Sequence, residues 1–217
     1  MLCVQPATLT AQRLVSFPTP DSGIVYADRY GTGQRGLVLA HGGRFTKGSW
    51  AKQARIFSAA GFRVLAIDFR GRGQSRGGPQ SRDGDDGARF DVLGAVRYLR
   101  STGATSVSVI GASFGGGAAA EAVIATEPGE VDRLVLLAHS TIAHPERLKG
   151  RTLFITARAD TTAAGVPRLV AIREQFEKAP EPKELVILDG AAHAQFLFET
   201  DQGARLMREL IRFLTAP

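Results

Sequence analysis

The sequence is poor in cysteine, since Cys3 is the single one among 217 residues. One thiol cannot form an intrachain disulfide, and it cannot build a cysteine-based metal site. Because Cys3 lies near the end of the chain, we expect a surface thiol rather than a nucleophile. A chain without crosslinks fits a reducing cytoplasm, and it also fits a secreted protein that needs no disulfides.

Long hydrophobic runs are also missing. No apolar stretch reaches the roughly 20 residues that a membrane-spanning helix needs. Residues 1–6 contain neither a basic region nor an extended apolar region, so the sequence shows no signal peptide. We therefore predict a cytoplasmic protein with no membrane partner, and a secreted mature form stays open as the alternative.

Positive charge exceeds negative charge but forms no cluster. The 27 Lys and Arg against 21 Asp and Glu give a formal net charge of +6 and a pI of about 10.0. Such a balance can indicate binding to nucleic acid or to an anionic surface. Here the basic residues are scattered, without a Lys/Arg-rich block or interleaved aromatic residues. We therefore predict a basic surface and no nucleic-acid partner.

Internal repeats, low-complexity tracts and domain linkers are absent as well, so we predict a single domain over residues 1–217. Strand and helix patterns alternate along it. Continuous apolar runs, such as residues 134–138, indicate strands buried on both faces, as in a parallel sheet covered by helices. The predicted strands are 13–17, 24–28, 36–40, 63–68, 106–110, 133–138, 152–156 and 184–188.

Start and stop signals predict five helices among these strands. They are a helix capped by Ser49 and running to about residue 60, residues 90–100, a helix after Ser113, one begun by Pro167 and one capped by Thr200. Apolar residues recur at helical spacing in the last, from Met207 to Leu214, which indicates docking on the sheet. Only residues 139–149 separate two consecutive strands. That length cannot hold a separate helical cap.

A serine between two glycines follows the strand at 106–110, in the stretch from Gly111 to Gly115. A helix-forming run comes next, which is the pattern of a nucleophile elbow. In that sharp strand-to-helix turn a Cβ at either glycine would collide with the backbone. The turn lifts the Ser113 hydroxyl clear of the sheet and points the helix N-terminus at it.

A second match to the same pattern runs from Gly73 to Gly77, with Ser75 at its centre. It also follows a strand. The residues after it, 78–84, are typical of a loop rather than a helix, so Ser75 lacks the element that would anchor it. This context favours Ser113 as the nucleophile.

A nucleophilic serine needs a general base, and histidine suits that role at neutral pH. His193 lies after the last strand and before the last helix. Of the other three histidines, His41 directly follows a strand, His139 ends a strand and His144 lies in a loop. A single histidine is more often structural, so none is assigned by its own position alone.

The third member must be a carboxylate that holds the imidazole in the right tautomer. Asp160 follows the strand at 152–156, at the strand end where α/β active sites assemble. Asp68 precedes Ser113 and opens a glycine-rich turn, which favours a turn-bracing role. Asp189 lies only four residues before His193 and is the weaker alternative.

The chain order Ser113, Asp160, His193, each after its own strand, resembles the α/β-hydrolase superfamily over nearly the whole sequence. The stretch from His41 to Gly43 resembles the oxyanion segment of that superfamily, and residues 68–75 resemble its glycine-rich turn. In size the chain is similar to dienelactone hydrolases and to small esterases without a cap. The resemblance implies an α/β-hydrolase fold, with a mostly parallel eight-stranded sheet flanked by helices and no cap domain.

The resemblance also implies roles for these residues. Ser113 is the nucleophile, His193 the base and Asp160 the acid. The oxyanion hole consists of the N–H groups of Phe114, the residue after the nucleophile, and of Gly43, with Arg44 as an alternative to Gly43. No metal and no cofactor are expected.

The expected function is hydrolysis of short-chain carboxylic esters through an acyl-enzyme intermediate, with a small-molecule ester as the partner. Serine at the elbow favours this chemistry, since dehalogenases of the superfamily carry aspartate there and dienelactone hydrolases carry cysteine. Two alternatives stay open. One is thioester, amide or acetyl-group hydrolysis by the same residues, and the other is a ligand-binding protein that performs no catalysis.

Overall fold

A computed structural model of the protein describes residues 12–78 and 87–217. Its eight strands are β1 (Arg13–Pro18), β2 (Ile24–Tyr30), β3 (Arg35–Ala40), β4 (Phe62–Ile67), β5 (Ser106–Ala112), β6 (Arg133–Leu137), β7 (Arg151–Ala157) and β8 (Lys183–Leu188). They form one sheet in the order β1-β2-β4-β3-β5-β6-β7-β8. The β1–β2 and β2–β4 pairs are antiparallel, and the other five pairs are parallel. The predicted mostly parallel eight-stranded sheet is confirmed.

Five α-helices flank the sheet within the described ranges. They are α1 (Ala51–Ala59), α2 (Ala88–Ser101), α3 (Phe114–Ala125), α4 (Arg168–Lys178) and α5 (Gly203–Thr215). Short 3-10 turns lie at Lys47–Trp50, Pro145–Arg147 and Ala194–Glu199. Cys3 and residues 79–84 of the predicted loop after Ser75 lie outside the described residues.

Both faces of the sheet are buried in its central strands, as the continuous apolar runs predicted. In β3, Val38 packs into the cluster that includes α2, α3 and part of α4, whereas Leu37 and Leu39 pack into the cluster on the other face with α1 and α5. All three side chains are fully buried, and each such burial contributes roughly 1.5–3 kcal/mol. The sheet is therefore a rigid platform whose strand ends hold their loops in place.

The strand predictions are accurate to within two residues at each end, but the predicted helix caps are wrong. Ser49 lies inside the 3-10 turn before α1, and its hydroxyl donates to Thr46 O at 2.7 Å. Thr200 ends a 3-10 turn, and α5 begins three residues later. A 3-10 turn precedes both α1 and α5. The Ser49 hydroxyl and the Thr200 hydroxyl each donate to a carbonyl oxygen of that turn or of the residue before it. Pro167 is the residue before α4, one position earlier than predicted.

The segment between β6 and β7 holds only a loop and the single turn at Pro145–Arg147. No cap domain is inserted there, in agreement with the prediction from its length. Across the described parts of the chain, no helix combines the length and apolar character needed to cross a membrane.

Candidate active site

Ser113 lies at the sharp turn between β5 and α3, with φ 50° and ψ −117°. Positive φ is unfavourable for a residue with a side chain, so the surrounding structure must hold this conformation. A Cβ at Gly111 would lie 2.3 Å from Gly115 O, and one at Gly115 would lie 2.5 Å from His41 O. Both glycines are therefore required by close backbone contact, and the turn presents the serine at the carboxyl edge of the sheet.

Three side chains meet at this edge in a continuous hydrogen-bonded row. His193 Nε2 is 2.8 Å from Ser113 Oγ, and His193 Nδ1 is 2.7 Å from Asp160 Oδ2. Asp160 is only 1% exposed, whereas His193 is 29% exposed. An ionised carboxylate can only accept, so the proton sits on Nδ1 and Nε2 is free to accept from the serine hydroxyl. The row can pass a proton from the serine to the imidazole.

Parallel strands explain how residues so far apart in sequence meet. Ser113, Asp160 and His193 follow the carboxyl ends of β5, β7 and β8. The loops after β7 and β8 are also tied together, because Arg158 N–H donates to Leu188 O at 2.8 Å and Ala159 N–H donates to Gly190 O at 2.9 Å. The separation between the carboxylate and the imidazole is therefore set by the backbone.

The backbone N–H groups of Gly43 and Phe114 lie beside the serine turn. A Cβ at Gly43 would lie 3.7 Å from Phe114 Cβ, so the two residues are in contact. Neither N–H group has a hydrogen-bond partner among the described residues. Arg44, the alternative donor, follows Gly43 directly and is exposed. An unpaired donor at the α3 N-terminus and a second on the neighbouring loop after β3 are suited to stabilise negative charge.

His41 is hydrogen-bonded to the loop that contains Gly43 and is not a candidate base. Its side chain is 1% exposed, and burial lowers its pKa. Phe69 N–H donates to Nε2 at 3.4 Å, so Nδ1 carries the proton and donates to Gly42 O at 2.8 Å. The imidazole is thus a neutral brace between two loops.

Asp68, which the sequence predicts to brace its turn, is buried and joins the turn after β4 to Lys47, in the 3-10 turn before α1. Its Oδ1 accepts from Lys47 N–H at 2.7 Å, and its Oδ2 lies 3.0 Å from Lys47 Nζ. Asp189 is 70% exposed and faces Arg158, with 3.6 Å between Oδ1 and Nε. Asp160, not Asp189, contacts His193.

Ser75 and the two remaining histidines are engaged elsewhere. Ser75 is buried, and its Oγ accepts from Tyr26 N–H at 2.8 Å. His144 is exposed, with its Nδ1 3.1 Å from Glu146 Oε1. His139 is buried against Phe154, and desolvation lowers its pKa to about 4. None of them takes part in the row at Ser113.

Two residues that the sequence patterns did not single out contact this site. Arg168 Nε lies 3.6 Å from Asp160 Oδ1. Gln195 Oε1 accepts from Gly42 N–H at 2.7 Å, across 153 positions of sequence. The first could be suspected from its place in the segment after Asp160. The second leaves no local signal, because its partner is remote in sequence.

A cavity of about 290 Å³ opens next to Phe114, between α3, the start of α2 and the loop after β6. Its lining mixes apolar and polar side chains, among them Arg89, Phe114, Ala118, Glu121, Ser140 and Thr141. Ser140 Oγ is also 3.4 Å from Ser113 O, so the cavity wall continues into the serine turn.

Comparisons with known proteins agree on the fold. Residues 37–171 match the family described as alpha/beta hydrolase fold. A non-heme chloroperoxidase of Streptomyces lividans is 36% identical over 143 residues, which cover 66% of this chain and 45% of that protein, so the match spans less than half of the relative's length.

Two solved esterases have the same fold. The Pyrococcus furiosus esterase Pf2001 superposes with a TM-score of 0.77 at 18% identity, covering 94% of this chain and 92% of that one. The Rhodococcus esterase RhEst1 gives 0.75 at 18% identity, with coverages of 94% and 98%. At such identities the likeness establishes architecture alone.

Proposed function

Because this chain belongs to the α/β-hydrolase fold family, we propose that it is a serine hydrolase that cleaves short-chain carboxylic esters. One observation carries the proposal: Ser113 Oγ, His193 and Asp160 form a row joined at 2.8 and 2.7 Å. A strained serine at a helix N-terminus, bonded to an oriented imidazole, fits a nucleophile rather than a structural hydroxyl. The same proposal treats residues 1–217 as one hydrolase domain.

In the first half-reaction Ser113 Oγ attacks the ester carbonyl carbon while His193 Nε2 takes its proton. Asp160 stabilises the imidazolium without becoming protonated. The carbonyl oxygen becomes an oxyanion, and the N–H groups of Gly43 and Phe114 donate to it. The α3 N-terminus adds a favourable field at the same place. The imidazolium then gives its proton to the alcohol, which leaves as the acyl-enzyme forms.

In the second half-reaction water replaces the alcohol. His193 accepts a proton from the water as its oxygen attacks the acyl carbon, and the same two N–H groups hold the second oxyanion. The proton then passes to Ser113 Oγ as the acid is released. Every proton is moved by residues of this chain, so the proposed reaction needs no metal and no cofactor.

The proposal is tested with an organophosphonate probe and mass spectrometry. We expect a covalent adduct on Ser113, no adduct in Ser113→Ala, and loss of p-nitrophenyl acetate hydrolysis by about 10⁴-fold or more in that variant. Ser75→Ala is the matched control, because its serine has the same sequence pattern but bonds to Tyr26 N–H. It should keep its activity.

The outcome of that experiment also separates the alternatives. An inert Ser113 in well-folded protein would support a ligand-binding role. If Ser113 is labelled but kcat/KM is higher for thioesters, amides or acetylated substrates than for simple esters, the protein is a hydrolase of that other substrate class.

A second candidate function comes from the Streptomyces lividans relative, whose name says that it is a chloroperoxidase without haem. An acyl-enzyme attacked by hydrogen peroxide in place of water releases a peroxy acid, which oxidises halide to hypohalous acid and returns the carboxylic acid. We expect chlorination of a dimedone reporter to require carboxylate, peroxide and Ser113 together. If chlorination persists in Ser113→Ala, the chlorinating activity does not depend on this site.

A further inference from the structure

The side chain of Gln195 joins the loop of His193 to the oxyanion segment. We propose that Gln195 is a positioning residue, which holds the Gly42–Gly43 peptide so that Gly43 N–H points at the developing oxyanion. The inference rests on the proposed function and assigns a role to a residue outside the row of Ser113, His193 and Asp160.

Gln195 lies two residues after His193, in the 3-10 turn Ala194–Glu199, and is 6% exposed. Its Oε1 accepts from Gly42 N–H at 2.7 Å. Its Nε2 donates to Ser49 Oγ at 2.6 Å, and that hydroxyl donates in turn to Thr46 O at 2.7 Å. Both ends of the amide are therefore used, and both bonds run to the segment that contains Gly43.

The direction of Gly43 N–H is set by the groups around Gly42. Gly42 O belongs to the same planar peptide as Gly43 N–H, and it accepts from His41 Nδ1 at 2.8 Å and from Phe45 N–H at 2.9 Å. Gln195 holds the preceding peptide through Gly42 N–H. Hydrogen bonds therefore restrain both peptides that meet at the Gly42 Cα.

Restraint from outside is needed because glycine rotates more freely than any other residue. Without Gln195 the His41–Gly42 peptide loses the one side-chain acceptor that the described residues provide. Only the two hydrogen bonds to Gly42 O then limit rotation about Gly42, and Gly43 N–H is aimed less firmly at the carbonyl oxygen. An oxyanion donor works only when it is aimed in advance at the place where charge develops. The loss should therefore appear in the transition state and not in substrate binding.

The experiment compares Gln195→Met, which keeps the side-chain length but neither polar end, with Gln195→Glu, which keeps an acceptor for Gly42 N–H. For Gln195→Met we expect kcat on p-nitrophenyl butyrate to fall by about 10-fold or more, with KM changed less than about 3-fold. Butylboronic acid forms a tetrahedral adduct on the serine, and its inhibition constant should rise by a similar factor. Gln195→Glu should recover part of both losses, because it restores the acceptor for Gly42 N–H but adds negative charge near the oxyanion.

Gln202→Met is the matched control, since Gln202 Oε1 has no hydrogen-bond partner among the described residues. It should leave kcat and boronate affinity within about twofold. Ser49→Ala is a milder probe that keeps the Gly42 bond and removes the acceptor of Gln195 Nε2, together with the bond from Ser49 to Thr46 O. It should lower kcat and boronate affinity together by a smaller factor, and it decides the matter if Gln195→Met fails to fold.

Two results would overturn the inference. One is an unchanged boronate affinity in Gln195→Met while kcat or melting temperature falls, which is what a purely structural role produces. The other is unchanged kcat in Gln195→Met, or in Ser49→Ala where that variant decides. An inactive wild-type protein without a phosphonate adduct on Ser113 would instead contradict the proposed function, so the two failures are distinct.

Discussion

Asp160 Oδ1 lies 3.6 Å from Arg168 Nε, on the opposite side of the carboxylate from the oxygen that bonds to His193. The backbone N–H of Arg168 also donates to Asp160 O at 3.0 Å. A carboxylate that is 1% exposed thus faces a cation with one oxygen and an imidazole with the other. Arg168 Nε donates to Thr161 O at 3.3 Å, which holds the guanidinium beside the carboxylate. We expect this ion pair to limit the rotation of the carboxylate that aims Oδ2 at His193.

We predict that Arg168→Met lowers the free energy of unfolding by about 1–2 kcal/mol, because a buried charge loses its counter-ion. The ester kcat should fall several-fold as the carboxylate gains rotational freedom. Urea denaturation and steady-state kinetics measure the two effects. Arg173→Met, at an exposed position of the same helix, is the control and should change neither. Equal behaviour of the two variants would remove Arg168 from the account of the site.

Asp160→Asn should leave the fold intact and lower kcat by about 10³- to 10⁴-fold, because an amide can donate to Nδ1 and so favours the wrong imidazole tautomer. Asp189→Asn should change kcat less than about twofold, since that carboxylate is 70% exposed and faces Arg158. Circular dichroism checks the fold, and burst and steady-state kinetics check the activity. If Asp189→Asn is the more damaging change, the acid has been assigned to the wrong loop.

The buried imidazole of His139 predicts loss of stability in mild acid. Its pKa is lowered by desolvation to about 4, below the roughly 6.5 of an unfolded chain. Between these values the unfolded chain binds the proton and the folded protein does not. The free energy of unfolding therefore falls as pH drops from about 6.5 towards 4, with a slope of up to about 1.4 kcal/mol per pH unit.

His139→Leu should flatten that slope when urea denaturation is repeated from pH 7 to pH 4.5. Some slope should remain, because burial lowers the pKa of His41 in the same direction. His144→Leu is the control, since His144 is exposed and should leave the slope unchanged. A profile of His139→Leu that coincides with the wild type would show that the imidazole is not the responsible group.

The sheet could be predicted from sequence because its signal is local. Runs such as Leu134 to Leu137 are apolar at every position, which is what burial on both faces demands. The site row could also be predicted, since Ser113, Asp160 and His193 each follow a strand and parallel strands end at one edge. Gln195 could not, because its contact with Gly42 depends on how two remote loops pack.

The cap residues failed for a related reason. A serine or threonine before an apolar helix usually caps the helix, but its hydroxyl can instead form a hydrogen bond with a backbone group of the preceding loop. Ser49 Oγ donates to Thr46 O within its own turn, and it accepts from the Nε2 of Gln195, which is remote in sequence. Hydrogen-bond competition of this kind is decided by three-dimensional neighbours, which a one-dimensional pattern does not contain.

Phe114, Phe196 and Phe198 pack in different surroundings. Phe114 borders the cavity beside the serine turn, whereas Phe196 is 43% exposed and packs on Phe45 with ring centroids 5.2 Å apart. Phe198 packs edge-on against the buried Trp50 at 5.7 Å. Of these three rings, Phe114 is the one that lines the cavity beside the serine turn.

We predict that kcat/KM is highest for acetate or butyrate esters and falls for octanoate and palmitate, without a jump when substrate aggregates. Each methylene gains about 0.8 kcal/mol only if protein buries it. Here the cavity of about 290 Å³ presents polar side chains, including Glu121, Ser140 and Thr141. Glu121→Leu, in α3, should raise the ratio of kcat/KM for octanoate to that for butyrate several-fold, whereas Glu127→Leu, at an exposed position two residues after the end of α3, should not. A wild-type maximum at palmitate, measured below its aggregation limit, would contradict this short-chain preference.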